Sequence, residues 1–200
     1  DRKRHDGLTQ FLVPLDSPGV TVRGIRDMSG VEHFNESHFE KVFVADDAVL
    51  GAVGAGWKQI TSELALERSG PERFLSTFIA LEKAIQRGAA SMEKRQAVVV
   101  GSILARIRGL RAMSLGVAAL LGQGQSPDVE AALVKDLGTR LEQDVIERLR
   151  EFWPIQMKPD AGDELQNLLS DSLLRQPSFT LRGGTNEVLK GIVARGMGLR

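Results

Sequence analysis

The sequence contains no cysteine, which excludes disulfides, thiolate-bound metals and cysteine nucleophiles and removes any argument for an oxidising compartment. It also lacks an excess of charge of either sign. Twenty-six basic residues face 26 acidic ones, so no long-range field concentrates the chain on nucleic acid or an anionic membrane. No apolar run approaches the roughly 18 residues a membrane-spanning helix needs. The first six residues, Asp1 to Asp6, are charged and have no apolar stretch behind them that would make a signal peptide. A soluble, cytoplasmic protein is expected, with neither nucleic acid nor membrane as partner. Histidine is scarce as well: His5, His33 and His38 are too scattered for metal-ligand spacing. Repeats and low-complexity tracts are absent.

What is there falls into two materials that meet near Gly51. With 42% hydrophobic residues over 200 positions, the chain can bury a core. Before Gly51, short runs of β-formers alternate with Gly, Pro and Asp. Leu8 to Pro14, Val20 to Ile25 and His38 to Val44 read as strands. Ser17-Pro18-Gly19 is a turn between the first two, because proline presets one turn dihedral and glycine accepts positive φ. Residues 1–50 are assigned to this β segment and 51–200 to a helical domain that follows the glycine-rich connector Gly51 to Gly56.

In the second part apolar residues recur at three and four: Trp57, Ile60 and Leu64, then, after a restart at Pro71, Phe74, Phe78, Leu81 and Ile85. Val98 to Leu121 reads as a long helix, and Ser126-Pro127-Asp128 starts another that runs toward Trp153 and stops at Pro154 and Pro159. A short helix over about 163–174 precedes a loop at Pro177, and Thr185 or Asn186 caps a last helix to about Met197. The fold expected is mainly α, an antiparallel up-down four-helix bundle preceded by a few strands. Trp57 is expected to be buried where strands and helices meet. Three strands alone are marginal, so the chain reads as a fragment of a larger protein.

Two constellations carry possible chemistry. Gly183-Gly184-Thr185-Asn186-Glu187 stands ahead of the last helix, where two glycines admit a ligand close to the backbone and a helix start attracts an anion or carbonyl oxygen; the plain alternative is a loop with an N-cap. Glu67 lies near the end of the first bundle helix on the same face as Glu63, with Arg68 about 100° away. A carboxylate in an apolar pocket has its charged form disfavoured and so becomes a better base; on spacing alone it is a surface ion-pair residue. Lys94, Arg95, Arg106, Arg108 and Arg111 are a basic stretch that suits phosphates or a solvated helix face.

Five segments in order, Gly7 to Val20, His33 to Val44, Gly54-Ala55-Gly56-Trp57-Lys58, Leu66-Glu67-Arg68 and Gly183 to Glu187, resemble the acyl-CoA dehydrogenase family, from the second half of its β-domain into its C-terminal helical bundle. The resemblance implies FAD-dependent α,β-dehydrogenation of an acyl-CoA thioester, with a glutamate removing the α-proton. In most members that glutamate directly precedes the Gly-Thr of the final motif, where this chain has Gly183. In the isovaleryl and long-chain type members it comes from a Glu-Arg pair on the first bundle helix, and this chain has Glu67-Arg68 there. The resemblance therefore makes Glu67 the base, Ala65, Leu66, Arg68, Gly183 and Gly184 substrate contacts, and Thr185, Asn186 and Glu187 cofactor contacts.

It also implies an oligomer of like or homologous chains and an electron-transfer flavoprotein or similar acceptor. The family's Arg-x-x-Phe-Gly motif, whose arginine meets FAD of a neighbouring subunit, is absent, as is the Gln-x-x-Gly-Gly segment before the last motif. The stretch between Glu67 and Gln96 is short. The alternative reading is a partner subunit of a heteromeric enzyme that does little chemistry itself; a helical interaction module unrelated to flavins is the third.

Overall fold

A computed structural model describes residues 5–153 and 162–199, with the side chain of Ala65 outside that description. The chain divides into two compact units, Asp1–Glu63 and Leu64–Arg200.

In the first unit, β1 (Gln10–Phe11) pairs antiparallel with β4 (Val49–Leu50), and β2 (Val20–Ile25) pairs antiparallel with β3 (Phe34–Phe39). The turn at Ser17 to Gly19 forms, with Val20 N–H donating to Ser17 O at 3.0 Å, but it joins strands of different pairs. The hairpin is β2–β3, in register from Val20 opposite Phe39 to Ile25 opposite Phe34. Gly19 is required here: its φ is +90°, and a Cβ would collide with the carbonyl oxygen of Glu40, whose N–H donates to Gly19 O at 2.9 Å.

The third strand was expected over His38 to Val44 and instead ends at Phe39, because Lys41 takes a left-handed φ of 51° that breaks the extended run. Its apolar residues do not mark a buried face, since Phe39 and Phe43 are exposed. Trp57 also departs from expectation. It is 45% exposed and stacks flat on the His5 ring, with centroids 3.8 Å apart, so a ring partner rather than burial covers it.

Helix α1 (Gly56–Ser69) begins in the first unit and ends in the second. A 3₁₀ turn at Pro71–Arg73 follows, then α2 (Phe78–Gly88), α3 (Lys94–Gly122), α4 (Asp128–Phe152), α5 (Glu164–Phe179) and α6 (Asn186–Gly196). The up-down bundle expected from sequence is present, and α4 is its centre, packed on α3, α5 and α6. Leu81, Ile103, Leu141, Val145, Leu149 and Leu169 are among the buried apolar residues of its core.

Helix α3 starts at Lys94 rather than Val98 because Glu93 and Gln96 close a capping box around its first turn. Helix α5 begins where Asp163 accepts from Leu165 N–H. It runs past Pro177 to Phe179: a proline in the last turn removes one hydrogen bond without stopping a helix about to end. The stop signals Pro154 and Pro159 lie outside the described residues; α4 ends at Phe152.

Candidate active site

The end of α1, the 3₁₀ turn after it and the loop ahead of α6 come together in the second unit. Gly183 and Gly184 adopt φ of 64° and 104°, conformations that glycine takes at least cost. They bring the loop onto Arg68, whose Nε donates to Gly183 O at 2.8 Å. Burial lowers the Arg68 pKa, opposed by the nearby Asp128 and Glu67 carboxylates. A Cβ placed on Gly183 would lie 3.6 Å from Glu67 Oε1. Residues 116 positions apart in sequence, Glu67 and Gly183, thus share one spot.

Glu67 is not in an apolar pocket. Its side chain is 46% exposed, and Oε1 accepts from NH2 of the buried Arg73 at 2.7 Å. Arg73 Nε also donates to the Glu67 carbonyl oxygen at 2.8 Å, so one guanidinium grips both backbone and carboxylate. The second carboxylate oxygen has no partner among the described residues. Of the other sequence candidates, Leu66 is exposed and Arg68 buried. The Ala65 side chain lies outside the described residues.

The segment drawn to a cofactor by resemblance turns much of its polarity inward. Thr185 Oγ1 caps α6, accepting from Val188 N–H at 3.4 Å. Asn186 is buried, and its Oδ1 accepts from Lys135 Nζ at 3.3 Å. Glu187 alone is exposed, and its carboxyl is held below the usual range by its own backbone N–H and the Thr185 hydroxyl. Thr185 Oγ1 is thus taken up by the cap and Asn186 Oδ1 by Lys135, which leaves Glu187 as the exposed side chain of the three. Of the basic stretch on α3, Arg106 pairs with Asp144 and Arg95 with Glu151 at 3.8 Å, both on α4. Among the described residues no group of His, Asp and Glu could hold a metal ion, and no helix is long and apolar enough to cross a membrane.

Sequence reasoning missed Arg73, Glu142 and Lys135. Arg73 was within reach, since Pro71-Glu72-Arg73 restarts the chain one turn beyond Glu67. Glu142 and Lys135 have no local signal, because their partners lie tens of residues away.

Comparison with known proteins places this geometry in context. The family profile described as "Acyl-CoA dehydrogenase, C-terminal domain" matches residues 54–198. The chain is 29% identical over 199 residues to acyl-CoA dehydrogenase FadE34 of Mycobacterium tuberculosis, an alignment that covers 97% of this chain and 27% of that protein. It is 34% identical over 211 residues to acyl-CoA dehydrogenase IpdE1 of the same organism, covering 96% of this chain and 50% of that one. A variant of the Tcur3481-Tcur3483 steroid ACAD shares the fold with TM-score 0.88 at 22% identity, over 100% of this chain and 55% of its own. The chain thus spans half or less of the length of these two curated relatives.

Proposed function

The chain belongs to the acyl-CoA dehydrogenase family, and from that premise we propose that it carries the proton-abstracting part of an acyl-CoA dehydrogenation, with Glu67 as general base. One observation carries this reading: Glu67 Oε1 lies 3.6 Å from the place where a side chain at Gly183 would begin. The family resemblance gives two alternative sources for the base, one of them the position of Gly183, and the two positions are neighbours here. Oε1 accepts one hydrogen bond from Arg73, leaving its second lone pair and the other carboxylate oxygen to take the α-proton of a thioester laid against Gly183 and Gly184. Glycine at both positions leaves room for the substrate, and Arg68 fixes that loop. A thioester covering the half-exposed Glu67 would exclude water and strengthen its interaction with the acidifying α-carbon.

Family members use FAD, which supplies the acceptor for the β-hydride. In the whole protein, Thr185 to Glu187 are proposed to border that cofactor through the position of α6 rather than through the inward-turned Asn186. An oligomer of like or homologous chains and an electron-transfer flavoprotein or similar acceptor complete the proposal. Residues 1–50 are taken as the end of the family's β-domain and 51–200 as its helical domain.

The test is α-hydrogen exchange. Full-length protein incubated with an acyl-CoA in D₂O should place deuterium at the α-carbon, and dehydrogenation should be assayed alongside. Glu67→Gln keeps the shape and removes the base, so both rates should fall about 10²–10⁴-fold. Gly183→Glu in that background should restore part of both, limited by the strain of a left-handed non-glycine residue, about 1–2 kcal/mol. Exchange at the parent rate in Glu67→Gln rules the base out. A second reading, a partner subunit that shapes another chain's site, is favoured by the inward turn of Asn186 and the absence of Arg-x-x-Phe-Gly; it predicts no exchange until a homologous chain is added.

A further inference from the structure

The residues around Glu67 form a closed ring of contacts. Arg73 holds Glu67 at 2.7 Å. Glu67 is bonded in sequence to Arg68, which holds Gly183 O at 2.8 Å. Gly183 in turn adjoins Arg182, whose NH2 donates to Oε2 of Glu142 at 2.6 Å. The other oxygen of Glu142 accepts from Ser76 N–H at 2.9 Å, and Ser76 lies three residues beyond Arg73, where the ring began. A strut crosses it: Arg182 NH1 donates to Ser76 Oγ at 3.1 Å. Glu142 is fully buried on α4, so it is the fixed point from which both segments facing Glu67 are held.

We propose that Glu142 is a positioning residue for Glu67, its buried carboxylate locking the segment 72–77 and the loop 181–185 into the arrangement in which Gly183 and Glu67 converge. This rests on Glu67 acting as the base. A buried charge is retained only when its partners are well placed. Here the partners lie 66 and 40 residues away on two separate segments, so the ion pair fixes their relative position as a single apolar contact could not. Burial pushes the Glu142 carboxyl up, while Ser76 and Arg182 draw it down. The Arg182 guanidinium also lies 4.6 Å over the Phe179 ring, which limits where else that side chain can go.

The test uses Glu142→Leu in the full-length protein, which keeps a similar volume but removes both the acceptor for Ser76 N–H and the charge that holds Arg182. Hydrogen–deuterium exchange should rise in the peptides covering 72–77 and 181–185 together. The α-exchange rate should fall about 10–100-fold, the scale of a misplacement near 1 Å. Combined with Glu67→Gln, it should cause no further loss, because a residue that acts through Glu67 has nothing left to position. A general loss of structure would lower both backgrounds equally and would overturn the proposal, as would unchanged protection of 181–185. Glu142→Asp, one methylene shorter, reaches only one of the two segments and should loosen the other alone. If Glu67→Gln itself keeps the parent rate, the base assignment fails by that result. The brace is then decided by the exchange data for the variant that has lost the carboxylate: joint loosening of 72–77 and 181–185 supports it, and separate or absent loosening there overturns it.

Discussion

Lys135 is the largest of the fully buried side chains among the described residues, and an ammonium out of water is unfavourable unless it is well bonded. Its partners are the carbonyl oxygens of Phe179 and Thr180 at 3.4 and 3.3 Å and Asn186 Oδ1 at 3.3 Å. It thereby caps the negative end of α5 and ties it to the start of α6. The bonds are long, and burial, with Arg182 and Arg73 repelling from nearby, brings its pKa down from 10.5 to about 8. Between those two values the unfolded chain binds more protons than the folded one, so this residue makes stability rise with pH across that window, and its cost is fully present below it. The amplitude is at most about 3 kcal/mol. Lys135→Met removes the titration. Relative to the parent, the variant should be more favoured at pH 7.5 than at pH 10.5 in urea unfolding, and a difference that does not change with pH would show that Lys135 is not a strained cation.

At the scale of elements, α4 does more than fill the bundle. Lys135, Gly138, Thr139 and Glu142 follow one another at i, i+3, i+4 and i+7, a single helix face, and each meets a segment of the candidate site. Lys135 and Thr139 hold the end of α5, Glu142 holds both sides of Glu67, and Gly138 lets the 3₁₀ turn approach. A Cβ on Gly138 would run into the Arg73 carbonyl oxygen and come within 3.2 Å of Phe74 Cβ. Gly138→Ala should therefore destabilise by up to about 2 kcal/mol, because an overpacking cost toward the upper end of about 1–3 kcal/mol, set by the clash with backbone, exceeds the helix gain of about 1 kcal/mol. A higher melting temperature in the variant would contradict this packing.

The same face explains what was legible in the sequence. The helices could be read because their apolar period and start signals are local: Ser126 to Asp128 opens α4 and Thr185 caps α6. Glu67 and Gly183 could be paired only through family resemblance, since nothing in spacing joins them. The Lys135 to Glu142 stripe looks like an ordinary solvated face until Ser76, Phe179 and Arg182 arrive from elsewhere. The third strand was misplaced because apolar content was followed past Glu40, and nothing local to Lys41 announces its left-handed backbone.

The two units differ in what holds them. Among the described residues every fully buried large side chain belongs to Leu64–Arg200, and α4 alone contributes Val134, Leu141, Val145, Ile146 and Leu149 to buried positions. The β2–β3 hairpin has no buried residue on either strand, and Val22, Ile25, Phe34 and Phe39 stand exposed. A two-stranded hairpin without a covered face is marginal in water, and local opening free energies follow the amount of buried contact. Amides of Leu141 to Leu149 should be among the slowest to exchange in this chain, and those of Val20 to Phe39 should exchange orders of magnitude faster. The proposal that residues 1–50 complete a larger β-domain makes a second demand. In a protein long enough to match the full length of its curated relatives, the same hairpin amides should gain protection while those of α4 change little. Hairpin amides that exchange equally fast in both would show that Val22, Ile25, Phe34 and Phe39 face water in the longer protein too, and the β-domain assignment would fail.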